Sequence, residues 1–124
     1  MTKLAWLFVA GGFGTLARYG LSGLVHRIYG GELPIGTFVV NFLGCFVFGI
    51  VWILAEDRLI ISGETRLLIL SGFTGAFTTF STYAFETSAL LRDSEWLIAA
   101  GNILAQNGLG IAAVVLGIAA GRLL

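Results

Sequence analysis

The residues best equipped for chemistry lie in the stretch SGFTGAFTTFSTY, residues 71–83, where the hydroxyls of Thr78, Thr79, Ser81 and Thr82 interrupt an apolar run. Clustered hydroxyls and Gly75 are poor material for a continuous helix interior, so a break is expected here. Inside a bilayer a break is tolerated only where it is buried or lines a cavity. The carbonyls it frees can coordinate a cation, and the hydroxyls can donate to an anion. Phe77, Phe80 and Tyr83 recur every three residues, a spacing that gives a continuous helix one aromatic face, with ring edges that are electropositive. The plainer alternative is an unbroken Ser/Thr-rich packing helix.

Asn41, in TFVVNFLG (residues 37–44), stands apart from other polar side chains. An amide in lipid needs a partner or water. Its two N–H donors suit an anion, while the plainer role is an interhelical hydrogen bond worth about 0.6–2 kcal/mol. Gln106 and Asn107 pose the same choice. Arg18 and Glu86 are ionisable groups within apolar runs, an expensive placement that points to function, unless they snorkel to the interface.

Four apolar stretches must position these groups: residues 4–25, 35–55, 67–91 and 96–121. Each approaches or exceeds the roughly 20 residues that cross a bilayer as a helix. The runs are continuous rather than alternating, unlike barrel strands of about 10 residues. Of 124 residues, 57% are hydrophobic and only 11% charged, with a mean hydropathy of +0.95. A soluble domain carries roughly 25% charge. The expectation is an all-α membrane protein, a single domain over residues 1–124 with four transmembrane helices and the third broken at mid-membrane. Seven basic side chains balance seven acidic ones, so nothing remains to neutralise phosphates, and nucleic acid is excluded as a partner. One cysteine, Cys45, and one histidine, His26, exclude an internal disulfide and Cys- or His-rich metal centres.

Depth links the polar groups. Arg18 lies about seven residues from the first connection and Asn41 about six, so at about 1.5 Å per residue both sit roughly 10 Å deep on one side. Glu86, late in the third run, and Asn102, early in the fourth, fall toward the same end. A polar vestibule is expected there. Basic residues give a weak orientation signal: Lys3, Arg58, Arg66 and Arg122 oppose Arg27 and Arg92, with Arg18 at the margin. That balance is compatible with insertion both ways round, and equally with a modest cytoplasmic preference of both termini. Gly117/Gly121, Ala10/Gly14 and Gly101/Ala105 are small-residue pairs of the kind that lets helices approach closely in lipid. Gly12–Ala17 also fits G-x-G-x-x-A with Glu32 twenty residues after Gly12, but it has no strand before it, and the dinucleotide reading fails on that context.

Three segments resemble the Fluc (CrcB) fluoride channel family over essentially the whole chain. They are GGFGTLARY (residues 11–19), PIGTFVVNFLG (34–44) and GAFTTFSTY (75–83). The resemblance implies a dual-topology, antiparallel homodimer in the bacterial inner membrane, multi-pass, with two narrow fluoride pores. It implies a structural sodium ion held by the backbone carbonyls of Gly75 and Thr78. Asn41 and Phe80 match pore positions, Tyr83 stands where the family has a second phenylalanine, and Thr79, Ser81 and Thr82 fall in a polar track. Arg18, Glu86 and Gln106 are assigned to the vestibule or pore entrance. Ala76 replaces the second glycine of the signature, which leaves backbone oxygens in place.

Fluoride is strongly hydrated, so a pore must replace its water with donors while holding it nowhere too tightly. Neutral amide and hydroxyl groups meet both demands. Two rivals are a small proton-coupled multidrug exporter using Glu86 and a non-transporting membrane assembly subunit. The first usually needs a carboxylate in the first span, where this chain has Arg18. The second leaves Asn41 and the Ser/Thr-rich break without a purpose. No nucleophile–base or metal cluster suggests an enzyme.

Overall fold

A computed structural model describes residues 1–124 and contains helices without strands. Helix α1 (Thr2–Tyr29) runs about one turn beyond its expected end near residue 25. The chain leaves it through Gly30 and Gly31, at φ 38° and 120°, backbone values that glycine adopts without penalty. Helix α2 (Ile35–Glu56) follows. Helix α3, residues 63–77, is composite: Gly63–Leu67 is α-helical, Leu68–Thr74 π-helical, and Gly75–Phe77 a last α-helical turn. Ser62 caps its start by accepting the Thr65 N–H at 3.2 Å. Helix α4 (Phe80–Arg92) resumes after two extended residues. Helix α5 (Trp96–Leu123) carries a second π-helical stretch at Ala105–Leu109. Helices α3 and α4 together occupy the third apolar run, so the expected break is present, at Thr78 and Thr79.

The 22 residues of α2 extend about 33 Å at about 1.5 Å per residue, close to the roughly 30 Å of a hydrocarbon core. Helices α2 and α5 are long and apolar enough to cross a membrane unbroken. Helix α1 has the length, but Lys3, Arg18, His26, Arg27 and its glycines dilute its apolar character. Only 22 of the 124 residues are buried, while Phe8, Tyr19, Leu97 and Leu104 stand exposed. So much exposed apolar surface belongs against lipid or another subunit rather than water.

Helix α2 meets α5 backbone to backbone. A Cβ at Gly49 would collide with the Val114 carbonyl, and one at Gly117 with the Phe46 carbonyl. Gly121 continues this seam along Ile50 and Ile53. Ala10 and Gly14 set α1 against Gly72 and Phe73 of α3. The Gly101/Ala105 pair does otherwise: nothing lies within 4 Å of a Cβ built at Gly101. These two residues line a shallow surface pocket with Pro34 and Ile98 instead of joining helices.

Candidate functional site

Thr78 and Thr79 are extended, at φ/ψ −83°/156° and −147°/110°, and this removes the helical partners of the surrounding backbone. Thr79 restores one by capping α4, its Oγ1 accepting the Thr82 N–H at 3.2 Å. Asn41 of α2 restores two more. Its Oδ1 accepts the Thr79 N–H at 2.7 Å, and its Nδ2 donates to the Thr79 carbonyl at 3.1 Å. The side-chain amide therefore pairs with Thr79 as a neighbouring strand would. Gly44, one turn along α2, leaves room for the Thr78 methyl, whose place a Cβ would take. No backbone N–H closes on the carbonyls of Gly75 or Thr78.

The amide orientations follow from this pairing. A backbone N–H only donates, so Thr79 must meet the oxygen of Asn41. Asn41 Nδ2 then faces Gln106 at 3.1 Å, and the atom it meets must be the Gln106 oxygen. Gln106 Nε2 is left buried with no partner. Both N–H groups of Asn41, expected to be available to an anion, are engaged by Thr79 and Gln106. The unengaged amide nitrogen at this place belongs to Gln106.

Two cavities adjoin the break. One, of about 480 Å³, is lined by Asn41, Thr78, Thr79, Phe80, Tyr83 and Gln106 among others. The other, of about 720 Å³, lies toward the α1–α2 connection and is lined by Tyr19, His26, Arg27, Thr37, Thr82 and Glu86 among others. Thr79 walls the first and Thr82 the second, and Thr79 Oγ1 donates to Thr82 Oγ1 at 3.0 Å. Thr37 donates to Glu86 Oε1 at 2.8 Å, while Glu86 Oε2 is buried without a partner. A line of polar groups thus runs from Glu86 and Thr37, past Thr82 and Thr79, to Asn41 and Gln106. Ser81 is exposed beside it, its hydroxyl 3.4 Å from Thr79 Oγ1.

The single vestibule expected from depth is resolved into separate places. Glu86 stands in the larger cavity. Gln106, grouped with it from sequence, sits on Asn41 in the other. Asn102 is buried against Thr87, donating to its hydroxyl at 2.9 Å. Arg18 makes no ion pair with Glu86, and its Nε is buried without a partner. The one ion pair of the chain joins Arg66 to Glu56. The three-residue aromatic spacing does not give one face, because the break falls between its members. Phe77 is buried and stacks on Phe73 at 5.7 Å, whereas Phe80 is 77% exposed and meets Tyr83 edge-on at 5.5 Å. Sequence reasoning left the role of Asn107 open; its amide reaches the Tyr83 hydroxyl at 3.2 Å.

Exposed apolar helices and a part-buried line of polar groups at a helix break point to a membrane protein with polar cavities inside its helical body. Residues 5–118 match the family described as CrcB-like protein, Camphor Resistance (CrcB), and the chain belongs to that family. It is 61% identical over 115 residues to the fluoride-specific ion channel FluC of Nitrosococcus oceani, covering 93% of this chain and 92% of that protein. It is 49% identical over 124 residues to the protein of that name from Solidesulfovibrio magneticus, covering 100% and 99%. A third, from Desulforapulum autotrophicum, is 48% identical over 122 residues, covering 98% of each.

Proposed function

We propose that this protein is a fluoride-selective channel through which fluoride leaves the cytoplasm passively. The observation that carries the reading is the polar line from Glu86 to Gln106 along the break. Its inner members are neutral hydroxyls and amides, which can replace the water around a small anion without trapping it. The names of the relatives point the same way. Asn41, Thr79, Thr82, Phe80 and Tyr83 line the path with Ser81 beside it, and Arg18 and Glu86 stand toward its entrance. Gln106 contributes its unengaged nitrogen beside Asn41.

The chain acts as one four-span domain in the bacterial inner membrane, as an antiparallel homodimer with two pores. The near-balanced loop charge and the exposed Phe80 at the mouth of an open groove support this, since a second copy would supply the missing wall. The residues at the break also fit a structural sodium ion. The Gly75 and Thr78 carbonyls accept no backbone hydrogen bond, and oxygen donors suit a hard cation. Bound there, sodium would neutralise the freed carbonyls and hold the break in place.

The test is fluoride release from liposomes containing the purified protein, with chloride as control anion. Fluoride release without chloride release, lost in Phe80→Ile, is expected. Equal release of both anions would overturn the selectivity, and no release from folded protein would overturn the function. Reporter fusions at Leu124 read from both sides check dual topology, which a single fixed orientation would refute.

A further inference from the structure

Asn107 and Tyr83 form a pair that the conduction path described above does not explain. Asn107 belongs to the π-helical stretch Ala105–Leu109, a widened turn of a kind often found at functional sites. Its neighbour Gln106 lines the same groove, together with Asn41, Thr79 and Tyr83. Asn107 Nδ2 donates to the Ile103 carbonyl at 2.8 Å and to the Tyr83 hydroxyl at 3.2 Å.

These two bonds fix the direction of a third. A carbonyl only accepts, so the amide atom facing Ile103 is the nitrogen. The same nitrogen meets Tyr83, so the phenol oxygen is the acceptor in that contact. The phenol's own proton then has no acceptor within the chain. The hydroxyl stands at the wall of the groove, on a ring that meets Phe80 edge-on at an interplanar angle of 66°. Without Asn107 the hydroxyl would be free to turn its proton along the wall, and its orientation would be lost.

We propose that Asn107 is a positioning residue that holds the Tyr83 hydroxyl as an O–H donor to the anion in the groove. This rests on the groove being the fluoride path. The aromatic ring at position 83 thereby gains a hydrogen bond that phenylalanine would not make, and the amide one helix away sets its direction.

Fluoride currents across planar bilayers, recorded against fluoride concentration with the intact purified protein, test both layers. Tyr83→Phe is expected to raise the half-saturating fluoride concentration roughly tenfold, the scale of one hydrogen bond to a charged acceptor. Asn107→Leu is expected to shift it in the same direction. So is the milder Asn107→Ser, which can still bond the Ile103 carbonyl but cannot reach Tyr83. In the Tyr83→Phe background neither Asn107 variant should shift it further. Equal shifts in both backgrounds would mean that Asn107 acts through packing, and would overturn the proposal. An unchanged half-saturation in Tyr83→Phe, with or without weakened assembly on size-exclusion chromatography, would also overturn it, assigning the hydroxyl to structure. Absence of fluoride current in the unmodified protein would instead sink the channel reading, and the inference with it.

Discussion

The seam between α2 and α5 and the break between α3 and α4 both bear on α2, yet they are built on opposite principles. At the seam, Gly49 and Gly117 remove side chains so that two backbones touch. Every backbone group there is already satisfied within its own helix, and nothing polar remains to bind a solute. At the break, two residues leave helical geometry, and the Asn41 amide and the Thr79 hydroxyl must re-satisfy what is freed. The seam gives rigidity to the helix that carries Asn41. The break uses that rigidity to hold hydroxyls and amides inside an apolar protein, where they would otherwise be costly.

The largest effect should come from breaking the seam. Gly117→Leu drives a side chain into the Phe46 carbonyl, and overpacking costs about 1–3 kcal/mol even where side chains can yield. Here the obstacle is backbone, so little or no monodisperse protein is expected from detergent extraction. Full yield with normal thermal stability would show that the two helices can separate without penalty.

Asn41→Leu strikes the break instead. It leaves the Thr79 N–H and carbonyl unpaired, and each buried orphan costs about 1–3 kcal/mol. Protein should still be obtained, with a lowered melting temperature and fluoride flux at background. Normal flux would show that the Asn41–Thr79 pairing is dispensable.

Glu86→Gln should matter less. The Gln oxygen can still accept from Thr37, so only the charge assistance is lost, and flux should stay within about threefold. A collapse of transport, together with dependence on a proton gradient, would revive the exporter reading. The smallest effect belongs to Gly101→Ala. With nothing within 4 Å of the added methyl, and alanine favoured over glycine inside a helix, stability should rise by up to about 1 kcal/mol. A loss of stability in the assembled protein would instead reveal a second subunit at that surface.

Much of the architecture was legible because hydrophobicity along a chain is a local property. The four apolar runs carry the helices, and Gly75 with its following threonines marks the one run that breaks. Asn41 could be singled out because an isolated amide in an apolar segment must find a partner. Its partner could not be read, since Thr79 lies 38 positions away and contributes backbone rather than side chain. The aromatic triplet misled for a related reason. Three-residue spacing predicts a shared face only while the helix is continuous, and the break separates Phe77 from Phe80. Glycine pairs alone could not distinguish Gly117, at a seam, from Gly101, in the open, because spacing does not say which neighbour arrives. The π-helical stretch at Ala105–Leu109 had no signal beyond a polar pair in an apolar run.

The sequence by itself determined that this chain is helical and apolar, that its third run is interrupted, and that neutral hydroxyls and amides are the polar groups present there. Those properties reside in residue types and short-range order. The tertiary structure decided which of these groups are engaged and which are left without a partner. The fixed polarity of the Thr79 backbone orients Asn41, Asn41 orients Gln106, and the Ile103 carbonyl orients Asn107 against Tyr83. Hydrogen-bond direction propagates through contacts in space, and those contacts exist only once the helices are packed.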